Sequence, residues 1–480
     1  MIQFGTGGWR AIIGDEFTRR NIQILAAAMA KKMKKEGVAD QGIVMGYDRR
    51  FLSKETIYWS CEVFAAEQIR VFFVNRSVPT PTIMFYVMKH KLPYGMMVTA
   101  SHNPAIYNGI KVFTAGGRDA DERQTKEIEA YIQEVEANLE QEPVKRMDYQ
   151  EALKKGLVME LNPLNEYLDN ILEQIDVRKI REAGLHIALD PMFGVSQTSL
   201  KTILLTARCD VDIINERHDT LFGGRLPAPA SDTLHALQTH MIDYHCDIGL
   251  ATDGDADRIG VIDDKGNFVH PNGILVLLYY YLVKYKGWKG PVVRNIATTH
   301  MLDRVAESFG EKCYEVPVGF KYISAKMQET DAIIGGESSG GLTVKGHING
   351  KDGVYAAALL VEMLAVTGKR ISEIAEDINK QYGTLYMVER SYRFTAERKA
   401  QIHRFLLEEK KLPKFEQAVE KISYRDGCKV YFADGGWVIA RFSGTEPLLR
   451  IFCEMDSKRE AEEICGQYEA FLTLSDADRQ

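Results

Sequence analysis

Residues 95–113 read GMMVTASHNPAIYNGIKVF, an apolar strand pattern that ends by presenting Ser101 and His102 just before Pro104. Asn103 and Pro104 are common turn formers, so the stretch taken alone fits an ordinary strand-to-loop corner. A second interpretation follows from its place at a strand end, because ligands in open α/β sheets collect beyond the carboxyl ends of the strands. The rest of the chain decides between the two interpretations.

The strand in this stretch belongs to an alternation of strand and helix patterns that occurs three times. The first run comprises a helix over residues 21–37, GIVMGYD, SKETIYWSCEVFAAEQIR, VFFV and GMMVTA; the second GLHIALD, TSLKTILLTA, CDVDIIN, DTLHALQTHMIDYH and DIGLATD; the third GPVVRNI, a helix through Asp303 and Val305, KCYEVPV and AIIGG. Such βαβ alternation predicts three α/β domains. No repeat is visible in the residues themselves.

The last part of the chain follows a different pattern. After the apolar helix VYAAALLVEMLAV, KVYFADGGWVIARF and LLRIFCEM predict antiparallel strands, and SKREAEEICGQYEAFL predicts an amphipathic terminal helix. A charged stretch near residues 120–160 predicts a solvated helix and a linker. We therefore expect three similar α/β domains and a C-terminal α+β domain around a central cleft. The predicted domains span residues 1–150, 151–263, 264–382 and 383–480.

Length and composition limit the classes of protein that fit. At ~150 residues per domain, the 480 residues suggest about three or four domains. The 60 Lys and Arg against 67 Asp and Glu give a net charge of −7, which offers neither a nucleic-acid footprint nor a polybasic membrane face. The seven cysteines include no C-x-x-C pair, which argues against a disulfide framework and a structural zinc site. With no leader pattern and no apolar run of ~20 residues, we expect a cytoplasmic protein that binds neither nucleic acid nor membranes.

The loop ATDGDADRIG carries three aspartates at alternate positions, Asp253, Asp255 and Asp257. Three hard carboxylate oxygens in one tight loop can face a single cation, and Mg²⁺ fits best. A calcium-binding EF-hand would require Gly and Glu where this loop has Arg258 and Asp264. An acidic turn that caps a helix is the simpler alternative. Arg258 favours the metal, because a guanidinium beside the metal can share a bound phosphate.

Near the C-terminus, the stretch ARFSGTEPLLR combines guanidinium, hydroxyl and glycine residues in one short loop. The residues concerned are Arg441, Ser443, Gly444, Thr445 and Arg450. Together with backbone N–H groups freed by the glycine, their side chains can form a small nest for a phosphate dianion. As a lone motif the stretch fits a surface turn equally well. Beside the aspartate loop and Ser101, it indicates phosphate chemistry.

Five motifs of this chain resemble those of the α-D-phosphohexomutase family, in the family order and over nearly the whole chain. They are FGTGGWR at residues 4–10, VTASHNP, DGDADR, GESSGG and RFSGTEP, which look like the opening motif, phosphoserine loop, metal loop, sugar loop and phosphate loop of the family. The resemblance, which is greatest to phosphoglucomutases, implies an isomerase that interconverts hexose 1-phosphate and hexose 6-phosphate through a phosphoserine and a bisphosphorylated sugar. It also implies Mg²⁺ as cofactor and glucose 1,6-bisphosphate as activator, and it indicates no oligomeric state.

The resemblance further implies roles for individual residues. Ser101 would carry the phosphoryl group, with its Oγ exposed to the cleft and with one phosphate oxygen completing the metal shell. The implied catalytic residues are Ser101, His102, Lys111, Arg258 and Lys351, and the implied metal ligands are Ser101, Asp253, Asp255 and Asp257. The implied substrate-binding residues are Arg10, Glu337, Ser339, Arg441, Ser443, Gly444 and Thr445. Among these, Glu337 and Ser339 match the family residues that contact the 3- and 4-hydroxyls of the sugar.

The sugar hydroxyl that accepts the phosphoryl group needs a general base. In KGHINGKDG, Lys351 matches the family lysine of an H-I-x-x-K-D-G element, and burial beside other cations would favour its neutral amine. His347 in the same segment is the alternative base. A helix-capping role for the whole segment is the structural alternative.

Two features of the sequence indicate the preferred sugar. Bacterial dual-specificity phosphomannomutases carry His after G-E-x-S-G, whereas this chain has Gly341, and PVGFKYI also looks more like phosphoglucomutases. We therefore expect glucose first, with mannose or dual specificity as the alternative. Outside the mutases, the rivals are a magnesium-dependent sugar-phosphate phosphatase and an inactive sugar-phosphate sensor. Hydrolysis does not need the phosphate loop, and a decayed enzyme would have lost one of the motif residues.

Overall fold

The computed structural model describes residues 2–5, 8–442 and 448–474 of the chain. These residues form four β-sheets, of which three mix parallel and antiparallel strands and the last is antiparallel throughout. Helices pack on the sheets, so the predicted fold class of three α/β domains and one α+β domain is confirmed. Among the described helices, none combines the length and the apolar character needed to cross a membrane.

The first sheet contains the first eight strands of the chain. Its elements are β1 (Phe4–Gly5), β2 (Gly8–Ile12), α1 (Arg19–Lys35), a 3-10 helix (Ala39–Gln41), β3 (Ile43–Tyr47), α2 (Ser53–Ala66), β4 (Val71–Val74), α3 (Thr80–Lys89), β5 (Tyr94–Val98), β6 (Tyr107–Thr114), β7 (Arg118–Asp119), α4 (Glu122–Asn138), α5 (Tyr149–Lys154) and β8 (Val158–Leu161). The strand order is β1-β2-β6-β5-β3-β4-β8, and β7 pairs with β6. Because β8 lies parallel to β4, the sheet extends past residue 150, where the sequence predicted a domain boundary.

The charged stretch after β7 is a helix with one buried face. Helix α4 packs against α1 and buries Ile128, Ile132 and Val135, which recur at helical spacing. Its other residues are mostly polar and are exposed or half-buried. The predicted solvated helix is therefore present, and its buried face lies against α1.

The second and third sheets follow in chain order. The second has α6 (Leu164–Gln174), α7 (Val177–Ala183), β9 (His186–Asp190), α8 (Ser196–Thr206), β10 (Asp210–Ile213), a 3-10 helix (Phe222–Gly224), α9 (His235–Tyr244), β11 (Ile248–Thr252), β12 (Ile259–Ile262) and β13 (Phe268–Val269). The third has α10 (Pro271–Lys284), β14 (Val292–Asn295), α11 (Met301–Ser308), β15 (Cys313–Val316), α12 (Phe320–Thr330), β16 (Ile334–Gly336), β17 (Leu342–Val344), α13 (Gly353–Thr367) and α14 (Ile371–Tyr382).

Each of the three α/β sheets contains the same four-strand unit. The strand orders are β4-β3-β5-β6, β10-β9-β11-β12 and β15-β14-β16-β17. In every unit the first three strands are parallel and the fourth is antiparallel. The loops between the third and fourth strands are residues 99–106, 253–258 and 337–341, which are the three loops that the sequence singled out. The repeat thus exists in topology although the sequence shows none.

The fourth sheet is antiparallel, with strand order β18-β22-β21-β20-β19. Its elements are β18 (Tyr386–Arg393), α15 (Ala396–His403), a π-helical turn (Arg404–Glu408), β19 (Val419–Ser423), β20 (Cys428–Phe432), β21 (Trp437–Phe442), β22 (Leu448–Met455) and α16 (Lys458–Leu472). Helix α16 packs on β18 and β22 and buries Ile464 and Tyr468. The predicted strands and terminal helix of this part are confirmed.

Helix α13 joins the second and third domains. It is apolar on every side, as expected for a helix that is buried all round, and it packs against α7, α8 and α10. Asp352 caps its N-terminus by accepting the N–H groups of Val354 and Tyr355, both at 2.9 Å. The cap fixes where α13 begins, and with it the position of Lys351 directly before the cap.

Candidate active site

The loops after β5 and β11 touch each other directly. Ser101 Oγ donates a hydrogen bond to Asp253 Oδ2 at 2.7 Å. Beside it, the hydroxyl and the backbone N–H of Thr80 bond to Asp255 at 2.6 and 2.9 Å. Ser101 has no exposure to solvent, so the expectation that its Oγ is exposed to the cleft is wrong. The aspartate loop of the second domain covers the strand end on which the serine lies.

The backbone of Ser101 adopts a left-handed conformation with φ of 51°. Residues other than glycine adopt it rarely, and surrounding contacts must fix it. Here Thr99 Oγ1 accepts the Ser101 N–H at 2.8 Å, while the Thr99 hydroxyl donates to Asp48 Oδ2 at 2.6 Å. These bonds set the direction in which Ser101 Oγ points out of its loop.

Arg50 fixes the loop that carries Ser101, residues 99–106, which we call the serine loop. The sequence analysis did not identify this arginine. Its buried guanidinium donates to four backbone carbonyl oxygens at distances between 2.6 and 2.9 Å, those of Ser101, Asn103, Pro104 and Tyr107. Its Nε lies 3.4 Å from Asp48 Oδ2, and neither side chain has any exposure. Burial raises the pKa of Asp48, an effect that the charge of Arg50 opposes. The signal in the sequence is GYDRR, where charged residues directly follow an apolar strand.

A short polar side chain lies at the carboxyl end of β3, β9 and β14, the strand that comes first in the chain in each four-strand unit. Oδ1 of Asp48, Asp190 and Asn295 accepts the N–H two residues further on, at 2.9, 2.7 and 2.9 Å. The same turn therefore opens the neighbouring loop in all three domains. In the third domain, Asn295 Nδ2 also donates to Glu337 Oε1 at 3.2 Å.

Asp253, Asp255 and Asp257 are all buried, and one oxygen of each lies within 4.8 Å of the others. Burial and the two neighbouring carboxylates raise the pKa of Asp253 well above its usual range. Burial also opposes the ionisation of Asp257, but Lys111 and Lys351 keep its pKa below that range. Within the part of the chain that the structure describes, Oδ1 of Asp255 and Oδ1 of Asp257 accept no hydrogen bond. Buried hard oxygens without a donor fit a divalent cation of the Mg²⁺ type.

Two lysines reach the aspartate loop from different domains. Lys111 Nζ, on β6, donates to Asp255 Oδ2 and Asp257 Oδ2, both at 2.6 Å. Burial disfavours its charge, but the two carboxylates raise the pKa of Lys111 above its usual value. Lys351 Nζ, before α13, lies 3.0 Å from Asp257 Oδ2. The structure thus brings both predicted lysines to the same carboxylate.

Three further predicted residues lie around Ser101. Arg258 Nε is 4.0 Å from Asp253 Oδ2, and its backbone N–H donates to Asp253 Oδ1 at 3.1 Å. His102 Nδ1 is 3.4 Å from Ser101 Oγ. The charge of Arg258, burial and the charge of Arg10 lower the pKa of His102 well below its usual value. Burial and the neighbouring arginines therefore disfavour a charged His102, and the positive charge near Ser101 comes from the arginines and lysines.

The sugar loop lies against the aspartate loop and against the segment PVGF. Ile259 N–H donates to the Gly340 carbonyl at 3.1 Å, which joins residues 337–341 to the residue after Arg258. Glu337 Oε1 accepts hydrogen bonds from Asn295 Nδ2 and from the Gly319 N–H, the latter at 3.0 Å. The loop is therefore fixed through Glu337, while Ser339 is exposed.

Gly341 and Gly353 allow the close approach of Lys351 and of α13. A Cβ on Gly341 would lie 2.3 Å from Lys351 Cδ, so the bare glycine makes room for the lysine stem. A Cβ on Gly353 would lie 2.4 Å from the Arg258 carbonyl oxygen, so α13 can begin against the aspartate loop only with glycine there. Any side chain at position 341 would have to displace Lys351.

Both ring nitrogens of His347 make contacts outside the aspartate loop. Its Nε2 lies 2.6 Å from Asp352 Oδ2, and its Nδ1 lies 3.0 Å from Asn170 Oδ1. Its side chain has no exposure. Asp352 in turn accepts the Tyr167 hydroxyl at 2.8 Å and caps α13. The predicted helix-capping function of this segment is therefore carried by Asp352, with His347 as its partner.

The fourth domain contacts the same region through Asp426, which also binds Arg441. Arg441 Nε donates to Asp426 Oδ1 at 3.0 Å, and Asp426 Oδ2 accepts the Val318 N–H at 2.7 Å. Val318 precedes Gly319, which bonds to the sugar loop. Arg450 is paired with Arg441 across two antiparallel strands. The predicted residues Ser443, Gly444 and Thr445 lie outside the described residues.

Known proteins match this chain along most of its length. Residues 1–139, 165–266 and 270–382 match the family models "Phosphoglucomutase/phosphomannomutase, alpha/beta/alpha domain" I, II and III, and residues 402–470 match the corresponding "C-terminal domain". A "Phosphoglucomutase/phosphomannomutase" of Thermococcus kodakarensis is 30% identical over 463 residues, which cover 96% of each chain. A "Probable phosphoglucosamine mutase" of Methanocella arvoryzae is 29% identical, with 98% of each chain covered.

A solved structure agrees with these matches. The crystal structure of a putative phosphomannomutase from Thermus thermophilus superposes with a TM-score of 0.83 at 28% sequence identity, covering 98% of this chain and 99% of that one. The names of the relatives differ in the sugar, and they agree in the reaction type. The chain is therefore a member of the phosphoglucomutase/phosphomannomutase family, the α-D-phosphohexomutases, and is a mutase.

Proposed function

We propose that this phosphohexomutase interconverts glucose 1-phosphate and glucose 6-phosphate through a phosphoserine at Ser101 and a bisphosphorylated sugar. The observation that carries the proposal is the 2.7 Å contact between Ser101 Oγ and Asp253, inside a group of carboxylates and cations drawn from three domains. A serine that served only as a turn former would not need such surroundings. Glucose 1,6-bisphosphate, which can phosphorylate the serine, is the proposed activator.

Ser101 is proposed to give its phosphoryl group to one hydroxyl of the sugar and to recover the other phosphate afterwards. In the first transfer the bond between phosphorus and Ser101 Oγ breaks while a bond to the sugar oxygen forms. Arg258, Lys111 and Arg10 supply positive charge near the group that moves. Arg50 and Thr99 support this assignment because they fix the backbone of Ser101. A fixed backbone lowers the entropy cost of reaching the reactive geometry.

Asp253, Asp255 and Asp257 are proposed to hold one Mg²⁺ ion, which when bound offsets negative charge on phosphoryl oxygens. The two buried oxygens without a hydrogen-bond donor in the described residues support this assignment. Ser101 is the proposed fourth ligand through its phosphate, in keeping with the hydrogen bond between its Oγ and Asp253.

Lys351 is proposed as the general base that takes the proton of the attacking sugar hydroxyl. It is partly exposed and lies 3.0 Å from Asp257, at the boundary between the aspartate loop and the sugar loop. His347, the alternative base, has both ring nitrogens engaged and no exposure. Because His347 is engaged and buried, Lys351 is the proposed base.

Arg441 is proposed to bind the phosphate that is not reacting, with Ser443, Gly444 and Thr445 completing the loop. Its link to Val318 through Asp426 supports this role, because Val318 lies next to the segment that fixes Glu337. Binding of the phosphate that is not reacting positions the sugar for transfer in both of its orientations.

The choice of sugar is tested by comparing kcat/KM for four sugar 1-phosphates. Glu337 and Ser339 are proposed to contact the 3- and 4-hydroxyls, and galactose inverts the 4-hydroxyl. An unpaired polar group would cost ~1–3 kcal/mol, so we expect glucose 1-phosphate to exceed galactose 1-phosphate by about ten- to a hundred-fold. Mannose 1-phosphate should come second. Glucosamine 1-phosphate is included because a relative is named for that reaction.

Glu337→Gln is the matched variant for this experiment, since it keeps the shape of the side chain and removes its charge. It should lower turnover of glucose 1-phosphate and narrow the gap to galactose. Equal turnover of galactose and glucose by the unaltered enzyme would show that Glu337 and Ser339 do not select the sugar. A higher kcat/KM for mannose or glucosamine 1-phosphate would replace glucose as the substrate.

A further inference from the structure

Four side chains that the mutase reaction does not use converge in the second domain. His186 Nε2 and His240 Nε2 each lie 3.0 Å from Asp212 Oδ2. Cys246 Sγ lies 3.7 Å from His186 Nε2. One atom each of His186, Asp212 and Cys246 falls within 4.8 Å of the other two. The group combines imidazole, carboxylate and thiol donors at one point.

Separate structural elements bring these side chains together. His186 is the first residue of β9, Asp212 lies on the adjacent β10, His240 lies on α9, and Cys246 precedes β11. The backbones of the two inner segments are tied to each other, because the His186 N–H donates to Asp247 Oδ2 at 2.8 Å and the Asp247 N–H donates to the His186 carbonyl at 2.7 Å. The donor atoms are therefore held in place by bonds of the sheet itself.

The cluster lies at the opposite end of the sheet from the active site. Cys246 precedes β11, whereas Asp253 directly follows it. A strand rises ~3.3 Å per residue, so the seven steps from residue 246 to residue 253 separate these positions by roughly 20 Å. An ion bound at the cluster could not be the ion of the aspartate triad.

We propose that His186, Asp212 and Cys246 are the protein ligands of a site for a tetrahedral transition-metal ion of the zinc type, with the fourth position left to water and with His240 orienting Asp212 through its hydrogen bond. Imidazole and thiolate are the donors that Zn²⁺ prefers, whereas Mg²⁺ prefers oxygen alone. With metal–nitrogen and metal–oxygen bonds of ~2.0–2.2 Å and metal–sulfur bonds of ~2.3 Å, ligand atoms in a tetrahedron lie ~3.3–3.6 Å apart. His186 Nε2 lies 3.0 Å from Asp212 Oδ2 and 3.7 Å from Cys246 Sγ, which is close to that range.

Access to the cluster is compatible with metal entry. The side chains of His186 and Asp212 are 28% and 35% exposed, while Cys246 is buried behind them. An ion can therefore arrive from solvent and be closed off on its inner side by the thiolate. Such a site would join β9 and β10 to the turn before β11, while His240 on α9 would contact it through Asp212.

The absence of C-x-x-C pairs led us to expect no structural zinc site. That expectation considered only ligands that are close in sequence. Here the first and the last ligand are 60 positions apart in the chain. The pairing of β9 with β10 and β11 brings the three ligands together.

Co²⁺ titration of the metal-free enzyme tests the proposal, with Mg²⁺ in excess to occupy the aspartate triad. A thiolate ligand gives Co²⁺ a sulfur-to-metal charge-transfer absorption, which carboxylate ligands cannot produce. We expect one equivalent of Co²⁺ to produce this absorption and one equivalent of Zn²⁺ to abolish it. His240→Ala removes the hydrogen bond that orients Asp212, so it should weaken Co²⁺ binding by about tenfold.

Cys246→Ser should abolish the absorption, whereas Cys209→Ser should keep it. Cys209 is a matched control, because it is buried in the same domain and burial raises the pKa of both thiols to about 11. Should Cys246→Ser fail to fold, His186→Gln retains the thiol and removes a ligand, and it too should lose the absorption. Saturating Co²⁺ without charge-transfer absorption in the wild type, or equal absorption in Cys246→Ser, would overturn the site and leave a hydrogen-bonded His–Asp–His group.

Discussion

Ser101→Ala should lose at least ~10³–10⁴-fold in mutase turnover, measured as glucose 6-phosphate formed from glucose 1-phosphate in a coupled assay. The substitution removes the atom proposed to carry the phosphoryl group, and loss of such a nucleophile leaves only binding and electrostatic assistance. The fold should survive, because the hydroxyl makes one hydrogen bond to Asp253 whose loss costs about 1 kcal/mol. Turnover near the wild-type level would remove Ser101 from the mechanism.

Ser199→Ala is the matched control for this variant. Ser199 is as fully buried as Ser101, and its hydroxyl also makes one hydrogen bond, to the Ser196 carbonyl. Its hydroxyl bonds within α8 and to none of the side chains proposed for the site. Its loss should affect stability about as much as Ser101→Ala does, and it should leave turnover unchanged.

Arg50→Met should lower the free energy of unfolding by roughly 3–5 kcal/mol, the usual cost of removing one partner of a buried ion pair. The variant removes the cation beside the buried Asp48, and it removes the donors of three carbonyl groups in the loop after β5 and of the Tyr107 carbonyl on β6. Turnover should fall as well, because the left-handed backbone at Ser101 loses its support. Urea unfolding and steady-state kinetics measure the two effects.

Arg70→Met provides the comparison for Arg50→Met. Arg70 belongs to the same domain, is exposed, and donates to one backbone carbonyl, that of Asp40. Its substitution should change stability by no more than about 0.5 kcal/mol. If Arg50→Met proved as stable and as active as Arg70→Met, the serine loop would not depend on the guanidinium beneath it.

Local patterns in the sequence were enough to predict the fold class and the loops of the site. Strand and helix patterns depend on residues that are close in the chain, so GMMVTA, DIGLATD and AIIGG could be assigned as strands from their local sequence. The rule that ligands gather at strand ends then pointed to Ser101, Asp253 and Glu337. All three lie in the equivalent loop of their domains.

Features that depend on contacts between distant segments were not predicted. The burial of Ser101 depends on the second domain, whose aspartates arrive 152 positions later in the chain. Arg50 and Asp48 act through backbone carbonyls, which no residue pattern reveals. The pairing of β8 with β4 is equally non-local, and it moved the end of the first sheet past the predicted boundary.

The central claim is that the phosphoryl group passes through Ser101, and a label chase tests it most directly. Dephosphorylated enzyme is incubated with glucose 1,6-bisphosphate carrying labelled phosphate, the modified residue is located by tandem mass spectrometry, and unlabelled glucose 1-phosphate is then added. We predict one labelled phosphoryl group, on Ser101, that leaves with the sugar product within the time of a few turnovers. Label on another residue, or label that stays on Ser101 while glucose 6-phosphate accumulates, would contradict the account.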